Sequence, residues 1–291
     1  MFFFKKKEKH HYEELREKWV KRHRKIQETL LSKHSFSNYL LDTTRHITIG
    51  SATMLALLLH PGSLSGKFMQ PASQFQSLDN TTDLILNLSQ LLPQEVQPLT
   101  GTEEEKITSL LSKKMGFRVT AMLQGIQLER NYGYIGQEQH LMRYPGDSLL
   151  AQLPTEEEQR KYYSYGMAPG LGAYGYFATS VSTLTDEDIQ REKWYIAVQT
   201  FLAPGYNEHV KEYNDFFQYR KMLVVNPDNG KAIVADIADA GPSPWTGKSL
   251  GGSPEVMQYL NRVDGAQRGP VLYFFIDDTN NTVPLGPLAY N

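Results

Sequence analysis

The most regular hydrophobic pattern in the chain lies at 221–239, where KMLVV and KAIVADIAD, two runs rich in valine and isoleucine, flank the turn cluster NPDNG. Apolar β-branched runs split by an Asn-Gly step predict a β-hairpin turned at Asn229-Gly230. In the second run Ile233, Ala235 and Ile237 alternate with Val234, Asp236 and Ala238. Side chains on a strand alternate between its faces, so Asp236 belongs to one face and Asp239 to the other, at the strand's exit. Gly241-Pro242 breaks the strand, and Gly247, Gly251 and Gly252 let the backbone pass close to its neighbours. Ser253-Pro254-Glu255 then supplies an N-cap, a proline at the first helical position and an acid in the first turn, predicting a short helix over 254–260.

The same reading places elements along the rest of the chain. Residues 8–34 contain no proline or glycine and predict a basic, largely polar helix. An uncharged stretch runs from Ile47 to Leu59, closed by His60-Pro61-Gly62. Residues 63–105, rich in Ser, Gln, Thr, Asn and Pro, read as a linker with one apolar patch, LILNLSQLL, suited to a short helix. Ile107, Leu110, Leu111 and Met115 have helical spacing after an acidic start, and 117–128 reads as a strand or helix packing on the C-terminal domain. The segment 132–147, YGYIGQEQHLMRYPGD, is expected to be an aromatic, glycine-punctuated loop. A helix is predicted over 185–193, strands at WYIAVQTF and GPVLYFFIDD, and an inserted segment at 206–219 suited to lining a groove or covering an edge.

Charge adds topology to this picture. Residues 1–45 hold 12 Lys/Arg against 6 Asp/Glu, leaving 18 against 26 in the remainder, so the overall net charge of -2 combines a basic head with an acidic body. The near-neutral total argues against a wholesale nucleic-acid binder, and 40% hydrophobic residues over 291 positions support one or two globular domains. With no cysteine, disulfides, thiol nucleophiles and thiolate metal sites are excluded. The basic excess lies N-terminal to residues 47–62, which therefore read as an export signal or membrane anchor; the alternative is a buried globular helix. The first reading divides the chain into a cytoplasmic head at 1–46, a membrane or signal segment at 47–62, a linker at 63–105, an α/loop region at 106–164 and a β-domain at 165–291. On that reading the expected membrane contact is residues 47–60, and the protein is expected in the cell envelope with its C-terminal domain outside.

The order of strand, Asn-Gly turn, strand, D-x-G-P, G-basic-x-apolar and serine-capped helix resembles the double-psi β-barrel of rare lipoprotein A-like (barwin/expansin-like) proteins over about 165–280. Asn229-Gly230, then Asp239, Gly241 and Pro242, then Lys248, Leu250 and Ser253 carry the likeness. Upstream, GAYGYFA (172–178) resembles that family's first glycine-aromatic strand, and AVQTFLAPG (197–205) its A-H-x-T-L-P-x-G segment. Four positions depart from the pattern: Ala238 replaces an asparagine, Ala240 an arginine, Gly251 a second aspartate and Val198 a histidine. The resemblance implies a mostly β fold, a six-stranded double-psi barrel preceded by the basic helix, the membrane or signal segment and the mixed linker region.

It also implies a chemistry. In the resembled barrels that cleave peptidoglycan or a related polysaccharide, an aspartate at this strand end acts as general acid and base, which makes Asp239 the catalytic candidate. Lytic transglycosylase-like cleavage needs only that carboxyl, because the sugar's own 6-hydroxyl is the nucleophile, whereas hydrolysis ordinarily needs two carboxylates. Asp236, Glu255, Asp277 and Asp278 are the candidate partners for that second role. Tyr174, Tyr176, Trp245, Lys248 and, from the 132–147 loop, Glu138 and His140 are the substrate-binding candidates. Each has a plainer reading: Asp239 as a turn aspartate bonding local N–H groups, the aromatics as core, the loop as an Ω-type structural loop. The Glu-x-His pair invites a metal, but no third ligand stands at metal-like spacing, and neither a metal nor a cofactor is expected. Two functions are implied: a glycan-cleaving envelope enzyme, or a non-catalytic glycan-binding or structural barrel module, the latter favoured by Val198 and Gly251.

Overall fold

The computed structural model describes residues 72–262 and 269–290. The basic helix expected at 8–34 and the segment 47–62 lie outside the described residues. Among those described, no helix is long and apolar enough to cross a membrane.

The fold is predominantly β. After three two-residue strands, β1 (Val119–Thr120), β2 (Met122–Leu123) and β3 (Ile126–Gln127), six strands close a mixed barrel: β4 (Tyr132–Gln137), β5 (Tyr195–Val198), β6 (Lys221–Val225), β7 (Ala232–Ala240), β8 (Leu250–Gly252) and β9 (Gly269–Ile276). Around the barrel β4 pairs with β8 in parallel and β8 with β5 antiparallel. Next, β5 pairs with β7 in parallel and β7 with β6 antiparallel, and β9 joins β6 to β4 through two antiparallel pairings. This closed, mixed order is compatible with a double-psi barrel. Closure removes the open edges that an unpaired strand would expose.

The alternation read from the sequence holds. Ile233, Ala235 and Ile237 point into the inner core with Met222, Val224, Val271, Tyr273 and Phe275. Leu223, Val225, Val234, Leu272 and Phe274 point outward, where helices α1 (Ala72–Leu91) and α2 (Gly101–Met115) bury them under Leu84, Leu88, Ile107 and Leu111. Burial on both faces explains why these strands are nearly continuous apolar runs. The outer cover includes α1, which occupies much of the stretch expected as linker. The α2 helix opens with a Thr100–Glu103 capping box and closes at Gly116 in the left-handed conformation.

The hairpin from β6 to β7 turns through 226–231 rather than a two-residue turn. Asn226 organises it: its side-chain amide donates to the Leu260 carbonyl at 2.8 Å, and Oδ1 accepts from the Asp228 N–H at 3.0 Å and from Arg262 at 2.8 Å. Gly230, at φ 70°, reverses the chain. Downstream, the predicted helix forms over Pro254–Tyr259, and the Ser253 hydroxyl caps it by accepting from the Val256 N–H. In the 206–219 insertion, Val210–Phe217 forms a helix that sends Tyr213, Phe216 and Phe217 into the inner core, with the Phe216 and Phe275 rings edge to face at 5.6 Å.

Two expectations are corrected. The first barrel strand is Tyr132–Gln137, inside the segment read as a loop, so the barrel begins ahead of residue 165. Its glycines serve close packing and not a loop: Gly133 packs against the Ser249 side chain and Gly136 against the Lys248 stem, where a β-carbon would overlap both. Residues 172–178 form no strand and carry only an isolated bridge between Gly172 and Gly175. They cross over the end of β7, where a β-carbon on Gly172 would sit 3.0 Å from the Ala238 carbonyl.

Candidate functional site

Asp239 sits at the exit of β7, one residue past a bulge that shifts its pairing with β5 between Ile196 and Ala197. Its Oδ1 accepts from the Ala173 N–H at 2.7 Å and from the Ala240 N–H at 2.8 Å. Both hydrogen bonds fall on one oxygen. The carboxyl is half-buried, and that burial raises its pKa above the ordinary carboxylate value against the pull of the two amides.

Glu138, just past the end of β4, supplies a second carboxyl. Its main-chain N–H donates to the Gly252 carbonyl at 2.9 Å, and its side chain lies over Gly251, where any β-carbon would overlap the carboxyl. The position at which the resembled family has a second aspartate is therefore occupied in space by a carboxylate from another strand. Burial raises the Glu138 pKa; the Lys248 ammonium pulls it down, and the Asp239 charge pushes it further up. Lys248 donates to the Gln137 carbonyl at 2.8 Å and stands 3.4 Å from Glu138 Oε1. The Lys248 of the expected site thus acts on Glu138.

The loop that joins β7 to β8 projects Trp245 into solvent, 86% exposed. Gln199 fastens the loop's two ends, donating from Nε2 to the carbonyls of Pro242 at 2.8 Å and Lys248 at 3.3 Å. Tyr176 is exposed on the segment that crosses Asp239. Tyr174 is turned inward, packed on the inner core and tilted against Tyr219. Its hydroxyl is buried facing Thr200, with no hydrogen bond of normal geometry between them. Asp239, Glu138, Lys248 and the 172–176 segment form one locality.

His140 belongs to a different one. It is 1% exposed, its Nδ1 lies 3.3 Å from Glu192 Oε1, and its ring meets Tyr162 edge to face at 6.4 Å. Burial lowers the imidazole's pKa, but the Glu192 and Glu255 carboxylates outweigh it and leave the value raised. Glu255 is pushed up to about 7 by burial, against the pull of His140. Between the two localities stands Tyr195, fully buried, whose hydroxyl donates to the Gln139 carbonyl and on which the charges of Glu138, Glu192, Asp239 and Glu255 all bear.

The candidate second carboxyls are engaged elsewhere. Asp236 faces outward to Arg191 at 3.4 Å, Asp277 pairs with Arg118 at 2.9 Å, and Asp278 pairs with Lys221 at 2.8 Å. The sequence carried no signal for Ala173, which acts through its main chain, or for Gln199. Among the described residues, no group of three or more His, Asp and Glu side chains is arranged to hold a metal ion. The fold and site together define a closed six-stranded mixed β-barrel in which the Asp239 and Glu138 carboxyls lie within electrostatic reach of each other across β5 and β8. No family model, curated protein or solved structure matches the chain.

Proposed function

We propose that this protein acts in the cell envelope on peptidoglycan or a related polysaccharide, cleaving a glycosidic bond in the manner of a lytic transglycosylase with Asp239 as the single general acid and base. The supporting observation is the Asp239 carboxyl itself: half-buried, raised in pKa, and held through Oδ1 alone by two main-chain amides. A carboxyl so held keeps its orientation in both protonation states. In its protonated form Asp239 gives its proton to the glycosidic oxygen as the bond to C1 breaks. The carboxylate then takes the proton of the sugar's 6-hydroxyl as that oxygen closes on C1, leaving a 1,6-anhydro end and the acid regenerated. Glu138 keeps negative charge near the developing oxocarbenium ion, and Trp245 offers a stacking face for a sugar ring.

A second reading, a non-catalytic glycan-binding barrel, is favoured by Val198. The valine is packed in the inner core where the resembled family has a histidine, so no imidazole stands beside Asp239 from that position. Incubating the full-length protein with purified peptidoglycan between pH 4 and 8 separates the two readings. Release of soluble anhydro-sugars that falls by a factor on the order of 10² to 10⁴ in Asp239→Asn supports catalysis. Pelleting with the glycan and no product at any pH supports the binding module, and neither pelleting nor product removes both.

A further inference from the structure

In the barrel β5 stands between β7 and β8, with Val198 paired to Ala240 on one side and to Leu250 on the other. The chain that leaves β7 must therefore arch over the end of β5 to enter β8. Both feet of the arch are buried, Gly241 and Pro242 on one limb and Ser249 on the other, while residues 244–247 at its crown are exposed and include Trp245. Gln199, the first residue beyond Val198, spans the space beneath. Its Nε2 donates to the Pro242 carbonyl at 2.8 Å and to the Lys248 carbonyl at 3.3 Å, so one side-chain amide ties the two limbs to each other and to β5.

The main-chain bonds around it do different work. The Gly241 N–H donates to the Val198 carbonyl at 2.9 Å and the Ser249 N–H to the Tyr134 carbonyl at 2.8 Å, so each seats one limb on the barrel without joining it to the other. In the crown, the Thr246 N–H donates to the Ser243 carbonyl at 3.0 Å and the Gly247 N–H to the Pro244 carbonyl at 3.2 Å, local turns that shape the crown but do not orient it on the barrel. A side-chain amide does not ionise, so Gln199 has geometry to offer and no proton chemistry. An aromatic ring that stacks on a ligand binds more weakly when the loop beneath it must be ordered in the same step, and a loop held in advance avoids that cost.

We propose that Gln199 is a positioning residue for glycan binding: by holding the limbs of the arch together it fixes the Trp245 ring and the Lys248 main chain relative to Asp239. The link to Asp239 is short, since that residue pairs with Ala197, two positions before Gln199 on the same run of chain. The role rests on the glycan-acting reading of the barrel and adds to it the side chain that orders the binding surface before the ligand arrives. It belongs equally to a cleaving and to a merely binding barrel, because it acts on the stacking face and not on the acid.

The test combines pelleting of the full-length protein with purified peptidoglycan and fluorine NMR of the same protein labelled with 5-fluorotryptophan, in which Trp245 is one of three tryptophans. Gln199→Met keeps the length of the side chain and removes the amide. It should weaken pelleting about threefold to tenfold and narrow the Trp245 resonance in the free protein as the ring gains motion. In a Trp245→Ala background the same substitution should weaken pelleting no further, a non-additivity that a general loss of packing would not produce. If Gln199→Met does not fold, Gln199→Asn, whose amide falls one methylene short of both carbonyls, takes its place. Where the wild type pellets, an unchanged affinity in the variant, an equal loss with and without Trp245, or an unchanged Trp245 linewidth overturns the positioning role and leaves the glycan reading standing. No pelleting by the wild type removes the glycan reading and this role with it.

Discussion

The carboxyl of Glu138 lies directly over the α-carbon of Gly251, on the strand paired in parallel with its own, in space that a side chain at 251 would fill. A glycine at one position and an acid more than a hundred residues earlier thereby form a single structural unit. That arrangement brings Glu138 within electrostatic reach of Asp239 and Lys248.

This contact makes Gly251→Ala disruptive. The added methyl must push the Glu138 carboxyl aside, and overpacking of this kind costs about 1–3 kcal/mol. Adding Glu138→Ala should recover most of the loss, giving a coupling energy that urea unfolding of the two single variants and the double variant measures. Strict additivity would show that the two residues do not compete for one space.

Trp245 and Phe217 are opposite cases among the aromatics. Phe217 is fully buried in the inner core, so Phe217→Ala should cost about 3–5 kcal/mol in urea unfolding. Trp245→Ala removes an exposed ring and should change stability by less than about 0.5 kcal/mol. Under the proposed function, Trp245→Ala should nevertheless reduce pelleting with peptidoglycan severalfold, and unchanged pelleting would remove the stacking role.

Stability should peak on the acidic side. Asp236 and Glu255 both titrate at about 7 in the fold, pushed up by burial, against about 3.9 and 4.3 in an unfolded chain. Between those values the fold holds protons that the unfolded chain has released, so stability falls as pH rises, by up to about 1.4 kcal/mol per pH unit for each group. His140, raised in pKa, works in the same sense as pH climbs through its folded value. In the other direction, Asp278 is lowered to about 2 because Lys221 and nearby amides outweigh its burial, and its contribution is lost as pH falls below about 4. Urea midpoints should therefore be highest near pH 4–5 and decline toward pH 7.5. A midpoint that climbs over that interval would mean these carboxyls are ionised at little cost.

The proposed location rests on the charge asymmetry. If the basic head stays in the cytoplasm and the body from about residue 66 is exported, protease added to intact cells should degrade the body. Digestion only after lysis would reject this topology and, with it, access to peptidoglycan.

What the sequence determined by itself is local. The alternation of Ile233, Ala235 and Ile237 with Val234 and Asp236 was legible because a strand's two faces repeat every second residue. The helices beginning after Thr185 and Ser253 were legible because each carries its own cap, and Gly101–Met115 because its apolar residues recur at helical spacing after an acidic start. The strand Tyr132–Gln137 was not, because its glycines are explained only by Ser249 and Lys248, side chains more than a hundred residues away. The candidate site divides along the same line. Asp239 was marked by its place at a strand exit, but the amide of Ala173 that holds it has no side-chain signature, and His140 left no local trace of belonging with Glu192 and Glu255. Barrel closure decided those neighbours, since it brings distant strands side by side, and the burial it imposes is what shifts the carboxyls away from their ordinary values.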